Sequence, residues 1–164
     1  MSIVKTMAPY PIMPVPNEQT QPYWDGTREG KIMIQRCQKC GYYNHPPVYL
    51  CINCKERDTA LVWEQVSGRG TVYTHYICHD NSIAGFENKV PYPVVIVELE
   101  EQKGLFIMSN LLNFEYDAYG SQIKPGMPVE AVFEKASDTM TMVQFQPAPQ
   151  RRSRQAAGSR GSRQ

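Results

Sequence analysis

The sequence predicts a mainly β chain: an extended N-terminal arm with one short helix, then a cysteine-built metal module, then a five-stranded barrel. Three observations carry this. Of 164 residues, 13 are Pro and 11 are Gly, which cuts the chain into short elements and leaves no room for long helices. Four of the five cysteines fall in two Cys-x2-Cys pairs. From Val66 onward, β-branched and aromatic residues come in short runs separated by turn residues.

Residues 1–30 are read as an arm and a helix. Met1–Gln21 is polar, has no periodicity and is broken by Pro9, Pro11, Pro14 and Pro16, so it gains order only by lying on another surface. Pro22–Gly30 suits a short helix, with Thr20 or Gln21 as cap, Pro22 in the first turn and Gly30 as the stop. Residues 31–65 hold a short strand, Ile32–Ile34, and both cysteine pairs. Residues 66–148 carry five strands, Thr71–Cys78, Val94–Glu100, Leu105–Leu112, Val129–Lys135 and Thr139–Phe145. Gly104 and the Ala136-Ser-Asp138 stretch mark hairpins, hence antiparallel pairing, and Gly68-Arg-Gly70 allows the first strand to coil sharply. Five such strands with a longer excursion, Tyr116–Pro128, before the fourth match an OB-type Greek-key barrel, with a small sandwich as the alternative. Residues 149–164 read as a disordered basic tail.

That tail distorts the charge. Five of the 17 bases lie in the last 14 residues, leaving 12 bases against 16 acids in Met1–Gln150, a body with about 4 negative charges. An acidic body repels phosphate backbones, so nucleic-acid binding, although both module types serve it elsewhere, is disfavoured. Tyr73, Tyr76 and Phe106 are candidate stacking residues, but on a strand such aromatics are more often core. No apolar stretch suits a membrane span or a secretory signal, and unpaired cysteines suit a reducing, cytoplasmic compartment.

The two-residue spacing in Cys37/Cys40 and Cys51/Cys54 lets each tight turn aim two sulfurs at one ion, so the four together predict a tetrathiolate site. Soft donors select zinc, or alternatively iron, over magnesium or calcium. With four protein ligands the ion has no open position, which predicts a structural metal. His45 lies between the pairs and is superfluous as a ligand. Gly41 follows the first pair, whereas Lys55 stands at the matching place after the second, where a left-handed backbone is less comfortable and metal affinity is expected to suffer. Cys78, flanked by His75 and His79, is the one candidate nucleophile, but alternation along a strand points His75 and Cys78 to opposite faces. No catalytic residue is assigned.

The runs Gln35-Arg-Cys37-Gln-Lys-Cys40-Gly41, Cys51-Ile-Asn-Cys54, Trp63-Glu-Gln-Val-Ser-Gly68-Arg-Gly-Thr-Val-Tyr73, Pro93-Val-Val-Ile-Val97 and Lys124-Pro-Gly-Met-Pro-Val129 resemble the acyl-CoA-associated family that joins a helical arm, a rubredoxin-like zinc ribbon and an OB-fold. The likeness runs from about Pro22 to Pro147. It implies a non-catalytic accessory subunit in a hetero-oligomer with a thiolase-like enzyme (a thiolase, aldolase or acyltransferase) that acts on a coenzyme A thioester. Members include the small subunit of a benzylsuccinate-pathway thiolase, which would place the chain in aromatic degradation. For contacts with ligand or partner the candidates are Arg36, Lys39 and Arg69, as cations for coenzyme A phosphates, and the loop His79–Tyr92, with His79, Phe86 and Tyr92.

Overall fold

The computed structural model describes residues 1–57 and 60–149, so the basic tail expected over 149–164 lies outside the described residues from 150 onward. In chain order the elements are β1 (Ser2–Ile3), α1 (Gln21–Arg28), β2 (Ile32–Cys37), β3 (Tyr43–Asn44), β4 (Leu61–Val66), β5 (Arg69–Cys78), β6 (Tyr92–Leu99), β7 (Phe106–Asn110), β8 (Glu115–Tyr116), β9 (Pro128–Lys135) and β10 (Thr141–Pro147). The chain is mainly β with one short helix, as its composition predicts. No helix among the described residues is long and apolar enough to cross a membrane.

Five antiparallel strands pair in the order β10-β9-β5-β6-β7. The sheet curls until its edges meet: Leu111 bridges Phe145, Leu112 N–H donates to Phe145 O at 2.7 Å, and Asn110 N–H donates to the Gln144 side chain at 2.9 Å. This nearly closed barrel has the OB order. Closure depends on the start of β5, which pairs with β9 through Arg69–Thr71 and with β6 from Gly70 onward. A Cβ on Gly70 would sit 2.3 Å from Glu98 O, so glycine is what lets two strands share that point.

The ribbon sheet, ordered β3-β2-β4, is not a separate body. Ile32, Ile34 and Val66 from its strands lie in one buried cluster with Val72, Val95, Val97 and Phe145 of the barrel. The Gln102 side chain completes the join, accepting from Tyr43 N–H at 2.8 Å and donating to Tyr43 O at 3.1 Å. Thr20 holds the cap position of α1, but its hydroxyl bonds back to Asn17 and makes no capping bond to the helix.

One expectation needs correction. Tyr73 and Tyr76 are not core but 57% and 56% exposed, because a bulge between Val72 and Thr74 resets the alternation of β5. The arm, expected to gain order only by lying on a surface, lies on the chain's own barrel: β1 pairs with β8, and Met7 is buried with Tyr92, Val94 and Leu112. The cause is a clamp of two opposite charges. Glu134 on β9 accepts from the Thr6 hydroxyl, the Tyr10 hydroxyl, Met7 N–H at 2.9 Å and Ala8 N–H at 3.2 Å, while Lys89 donates to the carbonyls of Met7 and Pro9.

Burial pushes the Glu134 carboxyl up, but these four donors outweigh it and hold it below the ordinary value of 4.5. A depressed carboxylate stabilises the fold above its unfolded value and ceases to do so as pH falls through the native one. The arm is therefore expected to stay seated at neutral pH and to release in acid, below pH 4.5. Glu134→Gln should weaken seating by about 1.5–3 kcal/mol, the range for bonds to a charged group. Limited proteolysis within residues 1–20 checks this; equal cutting of wild type and variant at pH 7 would contradict it.

Candidate metal centre and neighbouring clefts

The two cysteine turns are built alike. In the first, Gly41 N–H donates to Cys37 O at 2.8 Å and Cys37 N–H to Tyr42 O; in the second, Lys55 N–H donates to Cys51 O at 2.9 Å and Cys51 N–H to Glu56 O. Both positions after the second cysteine are left-handed, with φ of 74° at Gly41 and 62° at Lys55. The second turn thus imposes the glycine conformation on a lysine. The Lys55 ammonium offsets some of this by donating to Ile52 O at 2.7 Å.

The turns bring Cys37, Cys40, Cys51 and Cys54 together with all four sulfurs within 4.8 Å of one another. Cys37 to Cys54 and Cys40 to Cys51 are each 3.6 Å, far too long for a disulfide. Four sulfurs at about 2.3 Å from a tetrahedral zinc would stand about 3.8 Å apart, so the quartet fits that ion with little adjustment. Its electrostatics point the same way. Tyr42 N–H and then the Asn53 side chain lower the Cys40 thiol to about 6, whereas Cys54, although Glu56 N–H favours its charge, is pushed up to about 12 by burial and by the other three sulfurs. The cluster alone resists its last negative charge, and a divalent cation removes that resistance.

His45 stands outside this quartet. It is packed against Tyr23, ring centroids 5.7 Å apart, and burial lowers it to about 4, so it is a neutral packing residue. Cys78 stands beside the Tyr92 hydroxyl, and His79 Nε2 lies 2.8 Å from Ala118 O. The cations proposed for phosphates are each already paired. Arg36 bonds Glu64 at 3.0 Å and covers the Tyr43 ring, Lys39 pairs with Glu56, and Arg69 pairs with Glu100. In the loop 79–92, Tyr92 is 7% exposed, and Phe86 packs on its ring at 6.0 Å beneath the Lys89 ammonium. This half of the loop holds the arm, while residues 80–85 remain exposed.

Sequence reasoning missed two clefts. One, of about 820 Å³, is lined by Arg69, Glu98, Glu100, Lys103, Phe114 and Met127, among others. The other, about 530 Å³, lies between the arm, α1 and the barrel. The arm's Pro content hid the second, since nothing in the pattern of residues 1–20 says where that segment lies.

Comparison with known proteins gives a consistent result. The model of the ChsH2 rubredoxin-like zinc ribbon domain matches residues 24–60, and that of the ChsH2 C-terminal OB-fold domain matches residues 63–134. A DUF35 domain-containing scaffold protein of Methanocaldococcus jannaschii is 34% identical over 116 residues, 70% of this chain and 77% of that protein. A "Probable enoyl-CoA hydratase alpha subunit" of Thermomonospora curvata is 32% identical over 144 residues, 88% of this chain, which spans only 41% of that relative's length. Among solved structures, the Ltp2-ChsH2(DUF35) aldolase has a chain that superposes with a TM-score of 0.70 at 28% identity, covering 82% of this chain and 98% of that one.

Lys55→Gly should relieve the strained turn by about 1 kcal/mol and slow zinc loss to a chelator. Release timed with a colorimetric zinc dye checks this; faster release from the variant would show that the lysine's bond to Ile52 matters more. Removing the metal should loosen β2 and β4 and, through Ile32, Ile34 and Val66, lower the barrel's melting temperature as well.

Proposed function

We propose that this chain, which belongs to the DUF35 family of paired zinc-ribbon and OB-fold domains, is a non-catalytic accessory subunit of a thiolase-like enzyme acting on acyl-CoA thioesters. The observation that carries this is the quartet of cysteines, which offers one ion four sulfur ligands. A four-sulfur ion has no position left for water or substrate, so its contribution is to shape. It fixes β2 and β4, which insert into the barrel core, and the resulting rigid unit suits the role of a scaffold that completes another subunit's site. The relatives support the reading: a scaffold protein, a probable enoyl-CoA hydratase alpha subunit and the two-component Ltp2-ChsH2(DUF35) aldolase.

On this reading zinc is structural, held by Cys37, Cys40, Cys51 and Cys54, and the thioester belongs to the assembly. The cysteine and the acid-base groups of the chemistry come from the partner. Tyr73 on β5, 57% exposed, leaves apolar area that a second subunit would cover. An aromatic acyl group, from the sequence resemblance, and a cytoplasmic location, from the unpaired cysteines, complete the proposal. Single-strand nucleic-acid binding is the weaker reading: the exposed tyrosines offer stacking surface, but Arg36, Lys39 and Arg69 are neutralised by carboxylates.

Co-expression with a thiolase-like protein encoded beside it should give a co-eluting complex, and thiolytic or retro-aldol turnover should fall when this chain is left out. Separate elution with unchanged turnover would sink the proposal. The weaker reading is checked by fluorescence anisotropy of labelled single-stranded DNA with protein ending at Gln150; no salt-sensitive binding is expected.

A further inference from the structure

Resting on that reading, we infer that the cleft between the arm and the barrel takes the uncharged acyl part of the thioester, with the arm as one wall of the site. The first ground is charge. None of the 18 residues lining this cleft of about 530 Å³ is charged, whereas the other clefts carry Arg69, Glu98, Glu100 and Lys103, or Arg28, Glu29, Lys135 and Asp138. Of the ionised groups that hold the arm, Glu134 is occupied by four of its donors and Lys89 by two of its carbonyls.

The second ground is that the polar side chains between β7 and β10 satisfy one another. Gln144 donates to the Tyr10 hydroxyl at 2.6 Å and accepts from the Ser109 hydroxyl at 2.6 Å and Asn110 N–H at 2.9 Å, and the Asn110 side chain donates to Pro93 O at 3.1 Å. The rest of the lining is mostly apolar or aromatic, so the group that fits is largely hydrocarbon or an aromatic ring. Third, the rim leaves large apolar side chains in water: Ile12 is 66%, Met108 69% and Tyr76 56% exposed. Met7, Met13, Met108 and Met142 line the space, and their unbranched thioethers adapt to the shape of a guest.

The wall is also built to stay. Gly85, at φ 84°, lies under Pro11 so closely that a Cβ would come within 2.2 Å of the proline ring, and any side chain there would lift the arm. A volume of this size, enclosed on one side by a clamped strap, matches a small-molecule site better than a long groove for a partner helix.

Trp24 lines the cleft and Trp63 lies on β4, so tryptophan emission of the full chain reports occupancy. Hexanoyl-CoA and benzoyl-CoA should bind saturably by calorimetry, with hexanoyl-CoA shifting emission, and free coenzyme A should do neither. Met108→Glu, at an exposed rim position that folding tolerates, should weaken binding at least about tenfold by placing a charge beside the acyl group. Glu134→Gln, which unclamps the wall, should weaken it too. Equal binding of free coenzyme A, no binding of either thioester, or undiminished binding by Met108→Glu would overturn the assignment. If thioester fails to bind and Met108→Glu instead abolishes co-elution with the enzyme, the cleft belongs to the partner's chain and the inference falls while the accessory role stands. Thioester binding by a chain that elutes alone would uphold the cleft and remove that role.

Discussion

The gathering of four sulfurs within 4.8 Å of one another is the constraint on which the rest of this molecule depends. Backbone amides and Asn53 favour a charge on Cys40, burial and the neighbouring sulfurs disfavour one on Cys54, and a soft metal cation offsets that cost. Once the ion is in place, two turns are fixed, and with them the strands that enter and leave them. Those strands reach inward: Ile32, Ile34 and Val66 are as buried as the barrel's own valines. The metal therefore acts on the OB-fold through packing, although it lies outside that fold.

Strand identity was largely legible because the barrel obeys local rules. The runs ending at Cys78 and Lys135 finish at those residues in the structure, and the remaining barrel strands differ by one or two residues at their ends. The paired cysteines were equally plain, since their spacing alone forces a shared ion. What stayed hidden has a common physical character. β1, β3 and β8 are two residues each, too short for any period to show, and they exist only because a partner strand lies across from them. The bulge at Tyr73 changed which aromatics face water, an effect no alternation rule anticipates.

The candidate contact residues were less legible still. A cation read from sequence carries no sign of its partner, and Arg36, Lys39 and Arg69 each proved to be matched by a carboxylate from a distant stretch of chain. The loop 79–92 was marked by its length, but half of it is occupied by the arm, through Phe86 and Lys89. Glu134 drew no notice at all. Its importance lies in receiving donors from residues more than 120 positions earlier, Thr6, Met7, Ala8 and Tyr10, a relation only the folded chain creates.

The side-chain amide of Gln102 has a consequence for solubility. It occupies both the N–H and the C=O of Tyr43 on the outer margin of a three-stranded sheet, imitating the residue of a further strand. A sheet margin whose peptide groups are already taken cannot recruit a strand from another molecule, so one glutamine shields this edge of the ribbon from edge-to-edge association. Exchange for glutamate would keep the acceptor, lose the donor and leave a carboxylate facing a carbonyl oxygen, reopening that margin without touching the core.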